Sequence, residues 1–291
     1  MRIRQLAAYA AVSSFALSAP ALAQQAPEGP PVDMEDSVFA GDYLSVGVGA
    51  ALNPSYTGSD DYVVTVLPIL QGSLGGVGIS PRAGGVTLDF IPDATEGVSF
   101  DAGIAARVRG NRANQIKDDV VIQYGELDTA IEVGPSVGFS VPQVLNPYDS
   151  LSFGTDVMFD VAGAHGGMTV SPSVSYFTPL SRSIVASLSL GAEWADEDFQ
   201  DYYFRSDPAD YIGAGPAPLA PYEPDGGGFT SMGVNLLLGV DLDGDVTNGG
   251  LGLVVITGYS RLLGDAANNP FTTVRGSRDQ FLGAVGVGYT F

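Results

Sequence analysis

The chain has 291 residues, no cysteine, one histidine, and 12 Lys+Arg against 33 Asp+Glu. Zero cysteines exclude disulfide scaffolds, thiolate metal sites and a cysteine nucleophile, and a single imidazole leaves little material for a histidine-rich metal centre. The formal charge of −21 argues against nucleic acid as a partner, because phosphate binding needs a basic footprint, and the 13 Tyr and 14 Phe argue against a disordered acidic chain. What remains is an apolar, glycine-rich, β-leaning composition.

Arg2 and Arg4 form a short positive start, 6–17 is an apolar stretch too short to span a bilayer as a helix, and Ala21-Leu22-Ala23 supplies a small-x-small cleavage site. The expectation is a signal peptide over 1–23, cleaved on export. A cysteine-free exported chain fits a bacterial envelope. Residues 24–41 carry prolines and acids and read as a flexible leader, leaving 42–291 as one domain.

From there on, the recurring signal is alternation with a period of two. In 99–109, Phe100, Ala102, Ile104, Ala106 and Val108 face one way, and Asp101, Gly103, Ala105, Arg107 and Arg109 the other. Residues 183–194 set Ile184, Ala186, Leu188, Leu190, Ala192 and Trp194 against Ser187, Ser189, Gly191 and Glu193. Segments 127–140, 150–161, 230–241 and 280–291 behave alike. Alternation gives one apolar and one polar or tiny face, which a soluble sandwich also has. Three features favour a membrane barrel. The segments run to ten residues or more, the length of a tilted membrane strand. Their polar face is glycine and serine rather than lysine and glutamate, which suits a confined lumen. Aromatics such as Tyr43, Tyr62, Phe139, Tyr148, Trp194, Tyr259 and Phe281 sit near segment ends, as interfacial girdles do.

The segments are 42–52, 62–72, 75–81, 84–91, 98–109, 127–140, 149–161, 167–179, 183–194, 229–241, 250–260 and 280–291. The fold expected is all-β: a transmembrane antiparallel β-barrel of about twelve strands, with short periplasmic turns and longer extracellular loops. The longest links, 110–126, 195–228 and 261–279, all fall on one side. Closure also removes the exposed edges that such long strands would otherwise present.

The chain ends Gly286-Val287-Gly288-Tyr289-Thr290-Phe291, and Tyr289 with Phe291 resembles the terminal signal that barrel-assembly machinery reads in bacterial outer-membrane proteins. Before it stand Tyr259-Ser260-Arg261-Leu262-Leu263-Gly264-Asp265-Ala266-Ala267, Asn269-Pro270 and Gly276-Ser277-Arg278-Asp279-Gln280-Phe281. This stretch resembles the C-terminal hallmark of the MltA-interacting protein (MipA/OmpV) family, although Asn269 stands where serine is expected. Pro54-Ser55-Tyr56-Thr57-Gly58-Ser59-Asp60-Asp61-Tyr62 with Leu67-Pro68, and Asp201-Tyr202-Tyr203-Phe204, are similar to further family motifs. The resemblance runs from about Asp42 to Phe291. It implies an outer-membrane barrel and a scaffold role between a lytic transglycosylase and a murein synthase. Other members are described as porin-like or as adhesins, so a narrow solute channel and a surface adhesin stand as alternatives.

Few residues offer chemistry. Arg107 and Arg109 face the same side as Glu132 on the next strand, which suggests a charge network in the lumen, either an ion-selecting constriction or a structural plug, since an unpaired buried arginine is costly. Asp60, Asp61, Arg261, Asp265 and Arg278, with Arg275, are the material for a second network in the outer loops. His165 near Asp160 could act as a base, but no nucleophile motif accompanies it, and a solvated turn histidine is the plainer reading. Asp241-Leu242-Asp243-Gly244-Asp245 looks like a calcium loop with its glycine misplaced, hence an acidic hairpin turn. Asp60-Asp61 and Asp196-Glu197-Asp198 read as solvated loop acids, with divalent cations bridging lipopolysaccharide as the functional alternative. No catalytic group, cofactor or metal site is expected. The aromatic loop 195–228 is longer than closure requires, so it either constricts the lumen or meets a partner.

Overall fold

Each alternating segment is a strand in the computed structural model, which describes residues 37–94, 97–213 and 217–291. The expected signal peptide, 1–23, and the leader up to 36 lie outside the described residues. The strands are β1 (Tyr43–Pro54), β2 (Tyr62–Leu74), β3 (Val77–Arg82), β4 (Gly85–Asp89), β5 (Ser99–Arg109) and β6 (Ala130–Pro142). They continue as β7 (Ser150–Asp160), β8 (Met168–Pro179), β9 (Ile184–Ala195), β10 (Gly228–Asp241), β11 (Gly250–Leu262) and β12 (Asp279–Thr290). Consecutive strands pair antiparallel, and β1 joins β12 from Ser45↔Thr290 to Leu52↔Gly283, so the sheet closes as a twelve-stranded barrel. Closure lets strands meet their backbone polar groups in one another, which is what allows strands to cross a bilayer.

Register turns the alternation into an inside and an outside. Val108 lies opposite Ile131, and Arg107 opposite Glu132, so apolar residues share one face and charges the other. Val66 (77 % exposed), Val108 (55 %) and Leu190 (57 %) point outward, as a lipid-facing band must. A one-residue slip would carry Arg107 and Arg109 to the lipid face, so burial fixes the register.

Departures from a uniform ladder sit where the sequence requires them. The ladder of β6 with β7 lacks pairs between Val133↔Phe159 and Ser136↔Asp156, around Pro135, and that of β8 with β9 between Val170↔Trp194 and Ser173↔Gly191, around Pro172, because proline has no N–H to donate; the register itself is kept across both gaps. The β3–β4 hairpin is short and meets β2 only at Gly72–Leu74, so the Pro68 stretch of β2 is laddered on its β1 side alone. Beside Pro135, a Cβ at Gly134 would lie 1.8 Å from the Val157 carbonyl oxygen. Gly134→Ala is therefore expected to cost about 1–3 kcal/mol through overpacking. The measurement is the urea midpoint of the detergent-folded barrel, and an unchanged midpoint would reject the close approach.

Among the described residues three short α-helices occupy the outer links: α1 (Glu197–Phe204), α2 (Gly264–Asn268) and α3 (Pro270–Thr273). None among the described residues is long and apolar enough to cross a membrane. The sixth strand starts at Ala130 rather than 127, and Leu127 instead packs against the cluster that includes α1 and α2. The end of the expected flexible leader is held: Ser37 caps a turn over Val38–Ala40, Val38 N–H donates to Thr247 O at 2.8 Å, and Phe39 meets Tyr43 edge-on.

Candidate functional site

The strand ends bring four charges together at the outer mouth of the lumen. Glu132 on β6 is fully buried. Its Oε2 accepts from Arg107 Nε, and its Oε1 from Arg109 Nε at 2.7 Å and His165 Nε2 at 3.1 Å. Across the lumen on β9, Glu193 accepts from Arg109 at 2.7 Å and from Arg107 at 3.2 Å. Arg107 also donates to Thr169 Oγ1 at 2.9 Å, and a bulge at Phe229/Ser231 turns the Thr230 hydroxyl to Glu193 at 3.2 Å. Two guanidinium groups thus meet two carboxylates through several charge-assisted hydrogen bonds, the kind of pairing under which charges tolerate burial.

The sequence places Arg107, Arg109 and Glu132 on one face, and the structure brings those three into contact. It adds Glu193 and His165. The histidine is not a solvated turn residue, as the sequence suggests; its side chain is fully buried. Asp160 causes this by accepting from the amides of Ala162, Gly163, His165 and Gly166, which curls the turn inward. Gly167 N–H donates to His165 Nδ1 at 3.0 Å, so Nε2 carries the hydrogen that reaches Glu132.

A roof lies on this cluster. Phe199 of α1 sits edge-on to His165, and Arg109 Cζ stands 4.8 Å from its ring centroid. Phe199, Tyr203 and Phe204 pack with Ala195, Leu262, Ala266 and Ala267. Asp196, expected as a solvated loop acid, is the N-cap of α1: one carboxylate oxygen accepts from Phe199 N–H and the other from Met168 N–H. Loop 195–228 therefore folds back over the mouth.

The second expected network is not assembled. Asp60 is exposed, and Asp61 uses its backbone locally with Ser55 and Ser59. Register sets Arg261 opposite Asp279, and the two pair at 2.8 Å. Helix α2 turns Asp265 away, toward the Tyr222 hydroxyl at 2.5 Å and Asp225 N–H. Arg278 donates to Ala267 O and Asn268 Oδ1. Arg275 instead pairs with Asp118 at 2.7 Å, docking loop 110–129 onto the segment after α3. Burial alone would raise the Asp118 carboxyl, but Arg275 and the amides of Val121 and Val120 outweigh it and hold it below the usual carboxylate range. A depressed folded value gives stability that is present above the unfolded value of about 3.9 and lost as pH falls through the folded one. Pepsin nicking within 110–129 is thus expected to rise only below about pH 4, and at higher pH in Asp118→Asn. Equal nicking profiles for the two proteins would count against the docking.

Elsewhere, Asp241 Oδ1 accepts from the amides of Asp243, Gly244 and Asp245, as an acidic hairpin turn does. Among the described residues no group of three or more acids or histidines is arranged to hold a metal ion. Arg82 reaches Asp156 at 2.9 Å, an ion pair that the sequence does not announce. Tyr289 and Phe291 are exposed, with ring centroids 4.7 Å apart.

A closed twelve-stranded antiparallel barrel with an apolar outer band and a charge-filled outer mouth is an outer-membrane β-barrel. The family model described as MltA-interacting protein MipA matches residues 46–291, and the chain belongs to that family. No curated protein matches. Among solved structures, the chain is similar to the COG4313 outer membrane channel from Pseudomonas putida F1, at 14 % identity and TM-score 0.41, over 91 % of this chain and 100 % of that one. It is also similar to the Ralstonia pickettii toluene transporter TbuX, at 10 % identity and TM-score 0.36, over 88 % of this chain and 92 % of that one.

Proposed function

We propose that the chain is a sealed outer-membrane barrel that anchors murein-maintenance proteins, a lytic transglycosylase and a murein synthase, after export directed by residues 1–23. The observation that carries this reading is the plug: Arg107, Arg109, Glu132 and Glu193 fill the outer mouth under α1. A barrel closed in this way serves as a membrane anchor rather than a route for solutes. The family description, which names interaction with MltA, supports the partner. Lipid and lipopolysaccharide surround the apolar band, and the assembly machinery reads Tyr289 and Phe291. In this reading the chain is not an enzyme, since His165 is spent on Glu132 and on an aromatic roof.

The test is capture of a purified lytic transglycosylase by the detergent-folded full chain, alongside planar-bilayer recording at neutral pH. Capture without conductance is expected; steady ohmic conductance with no capture would overturn the reading. One observation favours a narrow channel instead. Below the plug several inward positions are small, among them Gly47, Gly49, Ser173, Ser189 and Gly288. The adhesin alternative loses support because loop 195–228 spends its aromatics on the roof.

A further inference from the structure

Outside the plug and among the described residues, one buried cation has no salt-bridge partner, the opposite charge that acts on it being the more distant Asp210. Arg112, just beyond β5, is 4 % exposed and held in the left-handed backbone region at φ 57°. Its guanidinium lies 4.3 Å over the Phe271 ring, and one terminal nitrogen reaches Tyr203 O at 3.4 Å. Its Nε has no hydrogen-bond partner, and no carboxylate pairs with it among the described residues. Loss of solvent by burial pushes its pKa down to about 10. Such a group is costly, and the cost falls when an anion completes it.

Arg112 lines a cavity of about 110 Å³ on the outer side of the roof, and Arg205, Asp201, Asp210, Tyr124 and Tyr202 line the same space. At about 30 Å³ per water, this is the space of three to four waters, which suits only a very small molecule. A simple anion would satisfy the arginines and be repelled by the two aspartates. A molecule with both charges can meet all four, with Arg205 also 3.9 Å from the exposed Glu223. We propose that this cavity is a binding site for a small amino-carboxylate zwitterion, its carboxylate on Arg112 and Arg205 and its ammonium on Asp201 and Asp210. The ligand would tie loop 110–129 to the end of α1, since the cavity is built from both.

The test is calorimetric titration of the detergent-folded full chain with glycine, using acetate and methylammonium as single-charge probes. Saturable heat with glycine is expected, with each single-charge probe at least about tenfold weaker. Arg112→Met should abolish the glycine heat while the barrel keeps its heat-modifiable migration. Because a buried substitution can disturb folding, the second variant changes only the exposed acids: Asp201→Asn with Asp210→Asn should weaken glycine at least about tenfold and leave acetate no weaker. Absence of glycine heat, glycine binding unchanged in the double variant, or acetate binding as tightly as glycine would each overturn the assignment.

Discussion

Glu132→Ala is expected to lower the stability of the barrel by about 3–5 kcal/mol, the cost of removing one partner from a buried ionic group. Glu132 is the point on which Arg107, Arg109 and His165 converge, and it has no exposed surface. Without it, two guanidinium groups face one carboxylate, Glu193, inside a lumen that offers little water. Neither arginine is free to retreat, because both sit on β5, Arg107 paired with β4 and β6 and Arg109 with β6. Glu132→Gln should cost less, since the amide oxygen still accepts from one arginine while the amide nitrogen confronts the other. The measurement is urea unfolding followed by heat-modifiable migration. A loss below about 1 kcal/mol for Glu132→Ala would mean that water enters the cluster and that the plug is not dry.

The second large effect concerns the roof. Excising 197–226 and joining Asp196 to Gly227 through a short Gly-Ser link is expected to leave the twelve-stranded ladder intact and turn a non-conducting barrel into a conducting one. The ladder survives because β9 pairs β10 from Ala195↔Gly228 inward, without help from the loop. The ends are already adjacent, since a Cβ on Gly227 would lie 3.3 Å from Asp196 Cα. What the excision removes is Phe199 over Arg109 and His165, and with it the apolar cover that keeps the arginine–glutamate pairs from solvent. Hydrated side chains at the rim can swing, and paired ones under an aromatic cannot. Single-channel recording decides the matter. A shortened barrel that stays closed would assign the seal to the four charges alone.

Most of the strands were legible because an inside–outside barrel imposes a period of two on every crossing; the short 77–82 and 85–89 pieces, rich in glycine, carry that signal weakly. Arg107, Arg109 and Glu132 were legible for a related reason: residues two apart on a strand share a face, and the next strand along the chain is the next in space. Glu193 was visible as an inward charge, but nothing in the chain says that β9 faces β5 across the lumen. His165 was hidden by its setting, a Gly-Ala-His-Gly-Gly turn whose direction depends on four amides closing on Asp160. The expected network of Arg261, Asp265 and Arg278 failed because closeness in sequence does not survive a helix. Helix α2 separates Asp265 from both arginines, while strand register hands Arg261 to Asp279.

The short β3–β4 hairpin sets where the ring parts under strain. Strands β1 and β12, which carry the two ends of the barrel domain, are joined through eight opposed residue pairs. Strands β2 and β3, which follow each other directly in the chain, share three. Separation of an antiparallel ladder grows harder with each pair, so the ring unzips two strands in from the junction of its ends. The flattened sheet then runs from β3 through β12 and β1 to β2, with first and last strands still married in its interior.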